Sequence, residues 1–202
     1  MKQLGIVLRH GWSFDRTALA PLAQALATLT PHVIVDDLGY WDAQPHIPAR
    51  DPALAWIGIG HSYGFASLLQ EPQPTWTGLI GIGAFLRFPN PGLPALRDAT
   101  ARDPQRAIRA FRRECGVAQA TTLPIAHPNG QRRLLATLDA LAQLDLPPPP
   151  GPTLFLHGRH DRIVTEALTP HCLHADKGHS LGLEAFEWCL AQIVPFVRSL
   201  NP

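Results

Sequence analysis

Short apolar runs alternate with helical stripes along this chain. Leu4–Leu8 is a continuous apolar run of strand length. Over Ala18–Leu29 the residues Leu19, Leu22, Leu26 and Leu29 recur at the three- and four-residue spacing of one helix face, and the stripe stops at Thr30-Pro31. His32–Val35 is a second short strand, ended by Asp36-Asp37. Pro45–Pro52 is a proline-rich loop, Trp56–Ile59 a third strand, Gly64–Gln70 a helix start and Leu79–Phe85 a fourth strand. Residues 92 to about 145 show no strand but three helical stretches, near Leu93–Ala99, Pro104–Cys115 and Gln131–Leu144. Pro147–Pro152 then forms an extended connector, because proline fixes φ and lacks a donor. Thr153–Leu156 resumes the strands, a weaker strand lies at His171–His174, and Leu181–Leu200 reads as one closing helix. Apolar strands separated by helices predict an α/β fold, a mostly parallel sheet covered on both faces. The predicted parts are 1–91 and 147–202 as the two halves of one core, with 92–146 as a helical cap inserted after the fourth strand.

Composition narrows the class. The 202 residues are 46% hydrophobic and 16% charged, enough apolar material for a large core and too little charge for a disordered chain. The net charge of +1 gives no global field toward nucleic acid or a membrane surface, and no apolar run nears the roughly 18 residues of a membrane span. Three cysteines, none in a CxxC, do not read as a disulfide framework and fit a reducing compartment. The first apolar stretch ends at Leu8 against Arg9-His10-Gly11, which reads as a core strand rather than a secretory leader. A cytoplasmic protein is expected.

The strongest chemical signal is Gly60-His61-Ser62-Tyr63-Gly64, a G-x-S-x-G between a strand and a helix. Glycines are needed there because strand and helix approach too closely for side chains, and the turn lifts Ser62 to a helix N-terminus where negative charge is favoured. A serine hydroxyl needs a base, and the base an orienting acid, in the chain order Ser, Asp/Glu, His. Asp161 follows the Thr153–Leu156 strand after a glycine turn. His171, His174 and His179 all qualify by order. His179 is favoured, since Gly178 precedes it at the entry to the last helix, and His174 is the reserve. An oxyanion hole would use the backbone N–H groups of Tyr63, just after the serine, and Trp12, in the His10-Gly11-Trp12 loop. The Trp12 indole is placed to wall an acyl pocket. The pairs His157/His160 and His171/His174 raise a metal reading, but neither HExxH nor paired CxxC is present, so no metal and no cofactor is expected.

Taken together, His10-Gly11-Trp12, Gly60–Gly64, His157-Gly158-Arg159-His160-Asp161 and Gly178-His179 resemble the α/β-hydrolase superfamily across almost the whole chain. The resemblance implies Ser62 as nucleophile, Asp161 as acid, His179 as base, and a chain lacking the family's first two strands. A narrower likeness is to the esterases that cleave pimeloyl-carrier-protein methyl ester in biotin synthesis. It rests on His10-Gly11-Trp12, the arginine-rich insertion and Leu134–Leu141, while Phe65 stands where many members have a second glycine. It implies a cap whose arginines dock an acidic acyl carrier protein. Between residues 92 and 137 there are eight arginines and three acids, and Arg102, Arg106, Arg109 and Arg113 fall at helical spacing on one predicted face. Arg106, Arg109 and Phe111 of that insertion, together with Trp12, are the expected substrate-binding residues. A serine carboxylesterase acting on a small or carrier-bound ester is expected. The alternatives are a hydrolase of another ester, thioester or lactone, and a silent hydrolase-like binding protein.

Overall fold

All six predicted strands enter one sheet. The structure is a computed structural model and describes residues 2–72, 75–117, 123, 127–164, 168–174 and 176–200. The strands are β1 (Leu4–Arg9), β2 (Val33–Asp36), β3 (Ala55–His61), β4 (Trp76–Ile82), β5 (Thr153–Gly158) and β6 (Cys172–His174). They pair in the order β2-β1-β3-β4-β5-β6, every pair parallel. Parallel pairing needs a crossover between successive strands; helices lie in those from β1 to β2, β3 to β4 and β4 to β5, whereas no helix is described between β2 and β3 or between β5 and β6.

Alternate residues explain why the strands read as unbroken apolar runs. Ile6, Leu8, Ile57, Ile59, Ile80 and Ile82 face α1 (Ala20–Leu26) and the C-terminal helix, while Val7, Trp56, Leu79 and Phe155 belong to the opposite face, which α2 (Tyr63–Leu69) covers. Among the described residues three helices lie between β4 and β5: α3 (Leu93–Arg102), α4 (Pro104–Glu114) and α5 (Pro128–Leu141). Their apolar residues Leu93, Ile108, Phe111, Leu134 and Leu138 pack with Trp12, Phe14 and Phe85, which come from loops at the C-terminal ends of β1 and β4. The insertion therefore roofs the edge of the sheet where ligands bind in parallel α/β folds. Residues 118–122 and 124–126 of the predicted 92–146 segment lie outside the described residues.

Four boundaries differ from the sequence reading, each for a local reason. The first helical stripe starts as a 3₁₀ turn, Arg16–Leu19, because Asp15 caps the chain by accepting the Thr17 N–H. Strand β4 begins at Trp76 rather than Leu79, since Trp76 and Gly78 already pair with Trp56 and Ile57, the register shifting past Thr77 between them. It ends at Ile82, where Gly83 turns to φ 56°. The closing helix is two: α6 (Leu181–Glu184) and α7 (Phe186–Leu200), broken at Ala185 with φ −147°. Arg102 ends α3, and Asp103 restarts the chain as the α4 N-cap by accepting the Arg106 N–H. The four arginines predicted on one helix face are thus split between two helices.

Candidate active site

Ser62 stands between β3 and α2 with φ 54° and ψ −126°, a backbone conformation that L-residues rarely adopt. The sequence makes this turn by omission. A Cβ on Gly60 would lie 2.2 Å from the Phe65 Cα, and one on Gly64 would lie 2.2 Å from the Arg9 carbonyl oxygen. Only glycine at both flanks lets helix, turn and β1 close together. The turn is anchored to β4 by the Ser62 N–H, which donates to the Ile82 carbonyl at 2.9 Å.

Three distant segments meet here. His179 Nε2 is 2.8 Å from Ser62 Oγ, and His179 Nδ1 is 2.8 Å from Asp161 Oδ2. The other carboxylate oxygen, Oδ1, accepts the backbone N–H groups of Ile163 (2.8 Å) and Val164 (3.0 Å). The Nδ1–H of His179 donates to Asp161, so Nε2 is left to accept the Ser62 hydroxyl proton. The loops that carry Asp161 and His179 also bind each other: the His160 N–H donates to the Lys177 carbonyl at 3.0 Å. Ser180 N–H donates to the Cys115 carbonyl at the end of α4, also locking the His179 loop. His174, the reserve base, lies elsewhere; its ring meets Trp188 edge-on, and its Nδ1 accepts the Asp176 N–H. His171 Nδ1 accepts the Phe155 N–H.

The electrostatics suit a buried ion waiting for a counter-charge. Burial alone would raise the Asp161 carboxyl, but the adjacent His179, the nearby His157 and the two backbone donors outweigh it and hold the group well below the ordinary carboxylate range. Ser62 is 6% exposed and His179 1%, so the hydroxyl and imidazole sit away from bulk water.

Trp12 and Tyr63, the expected oxyanion-hole residues, sit in the loop after β1 and at the first position of α2. Neither backbone N–H has a hydrogen-bond partner among the described residues. The His10-Gly11-Trp12 loop closes on the serine: a Cβ on Gly11 would come within 2.8 Å of the Ser62 Cβ. The loop is braced from several sides. Ser13 takes φ 70°, the Trp12 indole N–H donates to the Leu134 carbonyl on α5 at 2.9 Å, and the ring meets Phe111 edge-on at 4.9 Å. His10 accepts the Leu38 N–H and lies 3.3 Å from Asp37 Oδ1.

The arginines of the insertion divide into two groups. Arg112 points inward, donates to the Ser13 carbonyl, and spreads over Phe14 (4.8 Å) and Trp41 (5.7 Å), so it holds the Trp12 loop rather than facing solvent. Arg133 is spent on the carbonyls of Gly39, Asp42 and Ala43, and Arg97 on Asp139. Arg106 and Arg113 are exposed, and Arg109, half-buried, donates to Gln105. Arg106 lines a cleft of about 510 Å³ between α3 and α4. Phe111 lines an adjoining apolar one of about 320 Å³ with Phe88, Leu93, Leu96 and Ile163.

Residues without a signal in the sequence complete the site. His61 Nε2–H donates to the His179 carbonyl at 3.1 Å, and its ring lies 5.1 Å from that of His179. Burial, reinforced by His179, pushes its pKa down to about 3, so it stays neutral. Its place before the serine was visible, but not its contact 118 positions away. Among the described residues no three His, Cys, Asp or Glu side chains converge as a metal site requires.

No family model matches the sequence, and no curated protein matches it. Solved structures do resemble the fold. An esterase from Thermogutta terrifontis superposes with TM-score 0.72 at 18% identity, covering 100% of this chain and 92% of its own. An esterase from Exiguobacterium antarcticum gives 0.70 at 16%, covering 98% and 93%. The chain has the α/β-hydrolase fold. Est816, described as an N-acyl homoserine lactone degrading enzyme, shares that fold at TM-score 0.71 and 17% identity, covering 96% of this chain and 93% of its own. Ser62, Asp161 and His179 stand together beyond the C-terminal ends of β3 and β5.

Proposed function

We propose that this chain is a serine carboxylesterase that works through an acyl-serine intermediate. The observation that carries the reading is the continuous relay from Ser62 Oγ to His179 to Asp161, both links 2.8 Å, beginning on a strained turn. His179 Nε2 takes the hydroxyl proton as Ser62 Oγ attacks the ester carbonyl. The carbonyl oxygen becomes an oxyanion that the Trp12 and Tyr63 N–H groups bind. Asp161 steadies the imidazolium without taking its proton. Collapse of the tetrahedral adduct expels the alcohol, which takes the proton from His179 Nε2. Water, deprotonated by the same nitrogen, then attacks the acyl-serine, and the acid leaves. The apolar cleft bounded by Phe111 and Ile163 is the proposed seat of the acyl chain, since Phe111 touches Trp12 and the Ile163 N–H touches Asp161.

The finer proposal is an acyl ester carried by an acidic carrier protein, the pimeloyl methyl ester being one such substrate. It rests on the cations of the insertion that stay outward, Arg106, Arg109 and Arg113 on α4 with Arg102 at the end of α3. A cytoplasmic setting goes with it, and the three cysteines are unpaired. Hydrolysis of p-nitrophenyl butyrate tests the chemistry. Ser62→Ala should lower kcat/KM by about 10⁴-fold or more while the circular dichroism spectrum is unchanged. Undiminished turnover in that variant, or failure of a fluorophosphonate to label Ser62 in the parent protein, would refute the assignment.

A further inference from the structure

The Asp161 carboxylate has two imidazoles on one oxygen, and the relay uses only one of them. His157, at the end of β5, is 4% exposed. Its Nε2 lies 3.3 Å from Asp161 Oδ2, the oxygen that His179 Nδ1 meets at 2.8 Å, yet is misaligned for a hydrogen bond and has no other partner among the described residues. Asp161 Oδ1 is already taken by the Ile163 and Val164 N–H groups, so Oδ2 is the oxygen left for side chains. A lone pair on His157 Nε2 would face a carboxylate oxygen across that gap. The electrostatics of that gap favour a proton on the buried nitrogen.

We propose that His157 is a positioning residue for the acid–base pair, sharing Asp161 Oδ2 with His179 and thereby loosening the hold of His179 on a proton. The inference rests on the reading of His179 as the base. Its physical content is competition for charge. An N–H placed 3.3 Å from Oδ2 attracts the carboxylate electrostatically and withdraws part of the negative charge that stabilises the His179 imidazolium. Both effects favour a neutral, accepting Nε2 at the moment Ser62 attacks. The other titratable groups around the pair are His61 on the serine turn and Cys115 at the end of α4. His61 is kept neutral by burial, and burial pushes the Cys115 thiol well up, so neither carries charge through the neutral range.

The test is an NMR titration of the ring resonances in Ser62→Ala protein, which needs no turnover. In the background with His157 intact, the ¹⁵N pattern should show His157 with its proton on Nε2. Replacing His157 by Phe should raise the His179 midpoint by about half a pH unit to one unit, and His157→Gln, which keeps an N–H donor, should bring part of the shift back. With Ser62 restored, the acid limb of kcat/KM should move upward by the same amount. A His157 tautomer protonated on Nδ1 with Nε2 bare overturns the proposal even if neither variant folds. So does a His179 midpoint that stays in place in a folded His157→Phe protein. If esterase activity itself proves absent while the His157–His179 coupling is seen, the reaction reading fails and this one stands.

Discussion

The hydroxyl of Ser62 is one of five serines in the chain, and nothing intrinsic distinguishes it. Its neighbours do. Glycines at 60 and 64 admit the strained turn, and His61 ties the turn to the backbone of His179. His61 also writes a signature into stability. Folded, it takes a proton only near pH 3, whereas an unfolded histidine takes one near 6.5. The unfolded chain therefore binds more protons between those values, and stability falls as pH drops below about 6.5, by at most about 1.4 kcal/mol per pH unit. Asp37 acts in a lower window. Burial would raise its carboxyl, but His10 and the Gly39 and Arg16 N–H groups bring it down to about 2. Its contribution is complete above about pH 4 and lost as pH falls toward 2. Urea unfolding at stepped pH should separate the two: His61→Gln should flatten the slope between pH 6.5 and 4.5 by close to one proton and leave the loss below pH 4 in place. An unchanged upper slope would show that another group carries it.

At the scale of elements, the end of β1 does two jobs. His10-Gly11-Trp12 lies beside Ser62, and Arg9, one residue before, enters a buried ionic cluster. Arg9 donates to Asp36 on β2 at 2.7 and 3.0 Å, to Ser67 on α2, and to Glu71, and Arg50 also reaches Asp36. Asp36 is fully buried. A buried pair is a poor source of net stability but costly to break, because the partner is left charged and dry. Asp36→Ala should lower unfolding stability by about 3–5 kcal/mol, read as a shift of the urea midpoint. A loss below 1 kcal/mol would mean that Glu71 alone suffices for both arginines. The helices α3–α5 show the complementary case. Their amphipathic stripes were legible, yet whether Arg112 faced water or the Trp12 loop was not. Helical spacing assigns a face, and only packing says which face turns inward.

At the scale of the molecule, the sheet holds the serine turn, the two acid–base loops and the Trp12 loop at one edge, and the inserted helices close over it. The same closure divides the local excess of positive charge into arginines that serve the fold, Arg112 and Arg133, and arginines that reach solvent. If the solvent-facing group docks an acidic carrier protein, the double variant Arg106→Glu/Arg109→Glu should lower kcat/KM for a carrier-bound ester by about 10-fold or more and weaken its salt dependence, with little effect on p-nitrophenyl butyrate. Equal losses on both substrates, or none on either, would leave the basic face without a docking role.

Much of this protein was readable along the chain. Parallel β-strands are buried on both faces, so they survive as unbroken apolar runs, and a strained serine turn demands glycines at set offsets, so it survives as a motif. The order Ser62, Asp161, His179 follows from connectivity that the runs already reveal. Tertiary structure decided what depends on through-space neighbours: which of three late histidines meets the serine, the break at Ala185, the inward turn of Arg112, and the second imidazole at Asp161. Periodicity records whether a side chain is buried, but a hydrogen bond between residues 18 or 118 positions apart leaves no local pattern, because its energy depends on a distance that only the folded chain sets.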